Sequence, residues 1–369
     1  MNAPAPIPFI DLRPAEDDAA VREAIDRVLV RGWFVLGPEV EAFEREFAAA
    51  SSAAFAVGVG TGTDAITLAL RALDIGAGDE VIVPAMTAGY TALAVIAAGA
   101  IPVIVDVETD TLTINAAAAA AAVTSRTRAI VPVHLYGQPA DMEAIRLVAA
   151  RHSLAIVEDC CQAHLATERG VAVGRQSEAA AFSFYPTKNL GALGDGGAVI
   201  TGDEALASRV RRLRNGGQQV RAQHVEAGVN SRLDDLQAAV LRARLPLLAE
   251  WTNRRRVRAA RYRQLLPPSL RTIRERDPGH VYHLFPVLVA ERDALQAHLA
   301  SAGIDTMVHY PMALTRQPAF AAFAAHDCSV AVDAGAELLS LPLFPRLTDA
   351  DIVRVADEIG AFAKGHHLA

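Results

Sequence analysis

Cysteine is scarce in this chain: Cys160, Cys161 and Cys328 are the only three in 369 residues. That is too few for a disulfide framework, and the adjacent pair is poorly placed to bond to itself. No metal-ligand spacing of cysteine, histidine or acidic residues is present, so no metal is expected. Excess positive charge is also missing: a net charge of -7 leaves no electrostatic footprint for nucleic acid. The opening M-N-A-P-A-P-I-P-F-I-D has prolines where a signal peptide needs an unbroken apolar helix, and no basic segment before it. One stretch, Val81 to Val105, carries no charge and is long enough to cross a bilayer. Pro84, Gly89, Gly99 and Pro102 interrupt it, and V-I-V and I-P-V-I-V read as short buried strands. Strand, helix, strand in an α/β core is the expectation, with no membrane span. These absences point to a reducing, cytoplasmic protein that partners neither membrane nor nucleic acid.

What the chain has is alternation. Short β-branched runs at 56–59, 81–83, 102–105, 129–133, 154–158, 181–184 and 198–200 are separated by stretches of helical length such as 63–73 and 141–152. Strands apolar throughout imply a mostly parallel sheet covered on both faces, a three-layer α/β/α domain. The alanine run 116–122 reads as a surface helix, because alanine is the best helix former. Near Pro246 the character changes to an arginine-rich helix, a loop through Pro267 and Pro268, and then V-Y-H-L-F-P-V-L-V. Residues 1–245 are therefore expected to form a large domain and 246–369 a smaller α+β domain. Arg254, Arg255, Arg256, Arg258 and Arg261 are expected on the solvated face of their helix rather than in a phosphate-binding patch.

Three local patterns carry chemistry. Between Glu178 and Asp203 the only charged side chains are Lys188 and Asp195. A lysine just past an apolar strand loses part of its preference for the charged form, which leaves an amine able to condense with an aldehyde. A structural ion pair with Asp195 explains the same residues, and the segment by itself leaves both readings open. Asp159 ends the strand L-A-I-V-E-D, at the carboxyl edge where α/β sheets bind ligands. There it can hold a pyridine nitrogen protonated or simply cap a helix. G-V-G-T-G-T-D (58–64) lies between strand and helix and suits a phosphate, although it matches neither the dinucleotide nor the P-loop pattern. A lone lysine, an acid at a strand end and a phosphate site together suit pyridoxal phosphate.

F-S-F-Y-P-T-K-N-L-G-A-L-G-D-G-G (182–197) is the most specific of several motifs that resemble the DegT/DnrJ/EryC1/StrS sugar aminotransferases. E-D-C-C-Q-A-H (158–164), N-S-R-L-D-D-L-Q-A-A (230–239) and H-Y-P (309–311) agree in order and spacing, from I-P-F-I-D-L (7–12) to L-S-L-P-L-F-P (339–345). The resemblance implies the aspartate aminotransferase-like architecture, fold type I, and a pyridoxal 5'-phosphate cofactor. It implies that Lys188 forms the Schiff base and shuttles the proton, and that Asp159 pairs with the pyridinium nitrogen. Gln162 is expected beside the ring, Ser183 and the backbone of Gly62 and Thr63 at the phosphate, and Asn230 at the phosphate of a neighbouring subunit. The active unit would be a homodimer with shared active sites. The form around Lys188 is similar to the branch that aminates the third carbon of nucleotide-linked keto-deoxysugars with L-glutamate as donor. Tyr185, His309 and Tyr310 would then face the sugar.

Three positions depart from the family pattern. Ala88 stands where an aromatic usually stacks on the cofactor ring, with Tyr90 the candidate replacement. Thr315 stands in place of a histidine, and R-N-G-G (214–217) lacks the aromatic of R-N-Y-G. An altered acceptor pocket is the expectation. A keto-cyclitol acceptor and a non-catalytic cofactor-binding regulator remain the alternatives. Nucleotide, sugar stereochemistry, pathway and assembly beyond a dimer are not legible in the chain.

Overall fold

A computed structural model describes residues 5–365. The first four and last four residues, which include the start of the segment read against a signal peptide, lie outside the described part. All seven expected strands form, as β1 (Phe55–Val59), β2 (Glu80–Pro84), β3 (Ile101–Val105), β4 (Thr127–Ile130), β5 (Ala155–Asp159), β6 (Ala179–Ser183) and β7 (Gly197–Thr201). They make one sheet in the order β1-β7-β6-β5-β4-β2-β3. Five neighbouring strands run parallel, and β7 runs antiparallel to both β1 and β6.

The pleat explains why the strands read as apolar throughout. Val57, Val81, Val83, Val157, Ala181 and Val199 bury on one face with the helix Gly62–Ala72. Their sequence neighbours Ala56, Ala180, Phe182, Ala198 and Ile200 bury on the opposite face, as do Ile82, Ile130 and Ile156. Both faces are dry, as a covered parallel sheet requires. The segment 81–105 is β2, the helix Tyr90–Ala97 and β3. Among the described residues no helix is long and apolar enough to cross a membrane.

A second core surrounds a small antiparallel sheet of Arg271–Thr272, Phe285–Leu288 and Leu338–Leu341, with Tyr262, Leu299, Val355 and Ile359 from three helices. Ile7 joins this core, while Leu314, Phe320 and Ala331 pack into the first one. We propose the division at 245/246, within the turn Leu245–Leu247, as the domain boundary with those exchanges.

The arginine-rich helix, Leu248–Leu265, corrects one expectation. None of its six arginines is fully exposed. Arg255, 3 % exposed, donates to the carbonyls of Leu343, Tyr282 and His283. Arg256 donates to the carbonyl of His280, Arg258 to that of Leu347, and Arg261 to Asp349. A guanidinium carries five donors, so these side chains knit the helix to the loops that flank the strands Phe285–Leu288 and Leu338–Leu341.

Candidate active site

The site is assembled where β1, β5 and β6 end together. Gly197, at the start of β7, pairs with Val59 on one side and Ser183 on the other, which brings those two strand ends within one strand spacing of it. A Cβ on Gly197 would sit 2.3 Å from the carbonyl oxygen of Thr61, so only glycine permits this approach.

Beyond Val59 the helix Gly62–Ala72 begins, capped by Thr61, whose hydroxyl accepts the Asp64 N–H at 3.0 Å. The N–H groups of Gly62 and Thr63 have no acceptor among the described residues. Such orphan donors at a helix start favour an anion. Gly62 faces Ser183 and Cys161: a Cβ there would lie 2.7 Å from both the Ser183 Cβ and the Cys161 Sγ.

Asp159 is 6 % exposed at the end of β5. Its carboxylate accepts from the Thr91 hydroxyl at 2.8 Å and the Cys161 N–H at 3.1 Å. No cation pairs with it among the described residues. A buried carboxylate without counter-charge costs several kcal/mol, of order 3, which a cationic ligand would offset.

Lys188 lies on the loop that returns from β6 to β7, held by a bond from its N–H to the Tyr185 carbonyl at 2.8 Å. Burial holds its ammonium below the ordinary lysine range, while the Cys161 thiol and the Asp159 carboxylate pull the other way. Asp195 is exposed and makes no ion pair with it, so the structural pairing left open by the sequence does not form.

Gln162, 5 % exposed, accepts the Tyr136 N–H at 2.6 Å and donates to the Tyr310 hydroxyl at 3.0 Å. The Tyr136 hydroxyl donates to the carbonyl of His309 at 2.6 Å, so one chain of bonds ties the H-Y-P segment to the sheet edge. His309 stacks on Phe9 and shares a bond with Ser340, and burial lowers its pKa to about 4. Tyr185 is half-exposed, with its N–H on the Ser183 hydroxyl.

Two expected residues stand apart. Tyr90 is 66 % exposed and makes no ring contact or hydrogen bond with this cluster. Asn230 is exposed and bridges only to Asn215 through the backbone. Ala88 and Thr315 lie on neighbouring segments, since the Leu314 N–H reaches the carbonyl of Ala85 at 2.9 Å.

Thr91, Tyr136 and Cys161 went unseen in the sequence. Thr91 had no signal, because a threonine on a helix names no partner 68 positions away. Cys161 had one, its place two residues after Asp159. His134, Glu158 and Cys160 bring their ligand-type atoms within 4.8 Å of one another. Glu158 is already bonded to His134, Ser177 and the Gly174 N–H, and His134 accepts the Ala140 N–H, so this group is a closed hydrogen-bonded knot.

A lysine with a depressed pKa, an uncompensated acid and orphan helix donors at one sheet edge fit pyridoxal phosphate: an aldehyde, a ring cation and an anion in one molecule. The comparisons agree. The sequence profile described as the DegT/DnrJ/EryC1/StrS aminotransferase family matches residues 15–360. The chain is 48% identical over 365 residues to dTDP-3-amino-3,4,6-trideoxy-alpha-D-glucose transaminase of Streptomyces venezuelae, covering 97% of this chain and 96% of that one. It is 44% identical to dTDP-3-amino-3,6-dideoxy-alpha-D-galactopyranose transaminase of Aneurinibacillus thermoaerophilus, over 96% of this chain and 99% of that one. The crystal structure of S. venezuelae DesV superposes with a TM-score of 0.94 at 48% identity, covering 98% and 99% of the two chains.

Proposed function

The chain belongs to the DegT/DnrJ/EryC1/StrS aminotransferase family, and from that premise we propose that it moves an amino group from L-glutamate to the third carbon of a nucleotide-linked keto-deoxysugar. The enzyme class is an aminotransferase of fold type I, and its cofactor is pyridoxal phosphate. One observation carries the reading: Lys188, with no ion pair and a depressed pKa, shares a sheet edge with the uncompensated Asp159 and the open helix start at Gly62.

When bound, pyridoxal phosphate supplies an aldehyde that takes up the amino group and a protonated ring that draws electrons from it. The residues divide the remaining work. The N–H groups of Gly62 and Thr63, with the Ser183 hydroxyl, hold the phosphate. Asp159 holds the proton on the ring nitrogen, and Thr91 keeps its carboxylate oriented. Lys188, whose charge burial disfavours, takes the proton from the donor carbon and returns it on the other side of the exchange. Gln162 fixes Tyr310, which with His309 and Tyr185 faces the acceptor sugar. L-glutamate leaves as 2-oxoglutarate in the first half, and the keto-sugar leaves aminated in the second.

The active unit is read as a homodimer, with Asn230 reaching the neighbouring subunit's phosphate. The three free cysteines support a cytoplasmic site of action.

The test is the absorbance of the purified protein with pyridoxal phosphate, before and after L-glutamate. A visible band that glutamate removes establishes the first half-reaction. Adding a dTDP-linked 3-keto-deoxysugar should then restore it, whereas a free keto-cyclitol should not. The Lys188→Ala variant should bind the cofactor yet turn nothing over. Turnover by that variant, or a band indifferent to every amino donor, would overturn the proposal.

A further inference from the structure

Lys188 rides on a tight loop between β6 and β7 whose base and tip are held by different parts of the chain. At the base, the Ala192 N–H donates to the Phe184 carbonyl at 2.7 Å, and the buried Arg244 donates to the Gly191 carbonyl at 2.6 Å. A Cβ on Gly191 would lie 2.4 Å from the Pro186 carbonyl oxygen, so the loop closes tightly on itself there. The tip is held otherwise. Among the described residues, every hydrogen bond that residues 186–190 make outside the loop passes through the Asn189 side chain. Its Nδ2 donates to the carbonyl of Val281 at 3.0 Å, and its Oδ1 accepts from His283 Nδ1 at 3.3 Å. Both side chains are buried, so bulk water does not replace these bonds. His283 is itself firmly placed. The stretch 280–284 leads into the strand Phe285–Leu288 of the second core. The Val281 N–H reaches the Gly137 carbonyl at 2.9 Å, Arg255 donates to the Tyr282 and His283 carbonyls, and His280 stacks on Tyr282 with ring centroids 3.8 Å apart. Gly137, at φ +94°, lets this stretch pass where a Cβ would come within 2.9 Å of the His283 backbone nitrogen.

We propose that His283 is a positioning residue for the reaction: through Asn189 it ties the tip of the lysine loop to the second core, and so fixes where the Lys188 amine stands when it moves the proton. This inference rests on the role of Lys188 given above. The physical reason is reach. Proton transfer needs its partners within hydrogen-bond distance, and a misplacement of about 1 Å costs as much as a hundredfold in rate. A lysine amine sits on a flexible four-carbon stem, and Lys188 has no ion pair among the described residues to steady it. Its backbone anchor therefore sets the range of the amine, and the tie at Asn189 acts on the adjoining residue. An imidazole suits this place because it stays neutral. Burial, with Lys188, Arg255, His309 and His164 nearby, holds the His283 pKa well below the ordinary histidine range. The tie thus donates an N–H without setting a second positive charge beside an amine that must give up its proton.

The experiment uses His283→Leu, which removes the donor, Asn189→Ala, which removes its partner, and His283→Asn, which keeps an N–H near the place of Nδ1. Stopped-flow absorbance of each holoenzyme follows the half-reaction with L-glutamate, and with L-glutamate deuterated at the carbon that gives up its proton. His283→Leu and Asn189→Ala should each slow the maximal rate by about tenfold or more and enlarge the isotope effect. Half-saturation by glutamate and cofactor affinity should stay within about threefold of the parent. The two changes combined should cost no more than one alone, as the two ends of a single tie do, and His283→Asn should recover most of the rate. A readout free of catalysis stands beside these: in the cofactor-free variants, amide hydrogen exchange should quicken in the peptide around Lys188 but not in β1 or β2. A lower melting temperature with rate and isotope effect unchanged makes His283 a packing residue and overturns the inference, as does an additive loss in the double variant. Turnover by Lys188→Ala overturns instead the reading on which the inference rests.

Discussion

Replacing Asp159 with asparagine should move two measurements in opposite directions. The carboxylate is 6 % exposed and accepts from the Thr91 hydroxyl at 2.8 Å and the Cys161 N–H at 3.1 Å, with no ion pair among the described residues. An amide of the same shape keeps the Cys161 bond, and the threonine hydroxyl can turn to accept from the new NH2. The apoenzyme therefore loses an uncompensated buried charge at little cost, and should gain about 1 kcal/mol of stability. The holoenzyme loses instead. A charge-assisted bond between carboxylate and ring cation is worth about 1.5–3 kcal/mol, and breaking a buried pair about 3–5. At about 1.4 kcal/mol per decade, the first half-reaction should slow by roughly a hundredfold. The assays are thermal melting of the apoenzyme and stopped-flow absorbance of the holoenzyme with L-glutamate. A half-reaction within about threefold of wild type would refute the pairing of Asp159 with the cofactor, and an apoenzyme less stable than wild type would refute the claim that its charge is uncompensated.

Gly62→Ala places a methyl 2.7 Å from Cys161 and Ser183, so cofactor affinity should fall by about tenfold in an absorbance titration. Arg255→Met leaves three carbonyls without their donor, and urea denaturation should show a loss of about 2 kcal/mol despite removal of a buried charge. Acid should destabilise the fold through buried neutral histidines. Burial lowers the pKa of His164 and of His280 from 6.5 to about 3, so the unfolded chain binds more protons across that window and stability falls as pH drops through it. Each contributes about 2 kcal/mol of loss between pH 7 and about pH 5, as do His283 and His309, whose pKa values burial also lowers; urea titrations at the two pH values should show the decline, and His164→Phe should lessen it by about a quarter.

Much of this protein was legible before any coordinates. Strands buried on both faces must be apolar at every position, so seven short runs announced themselves and fell into one sheet. Lys188 stood out because a lone cation in an uncharged segment needs a reason, and Asp159 because it closed such a run. The arginine helix misled for an equally physical cause. Charge density on a helix reads as solvation, whereas guanidinium groups also satisfy carbonyls, and which of these holds depends on what packs against the helix. Composition and pattern along the chain thus determined the fold class and singled out the lone lysine and the strand-end acid as candidates, since each is a property of a residue and its near neighbours. The bonds from Thr91 to Asp159 and from Gln162 to Tyr310, the crowding of Gly62 against Cys161, and the missing partner of Asp159 were decided only by tertiary structure. They join positions 68 to 148 residues apart, or depend on what fails to approach, and neither kind of fact leaves a periodic trace in a sequence.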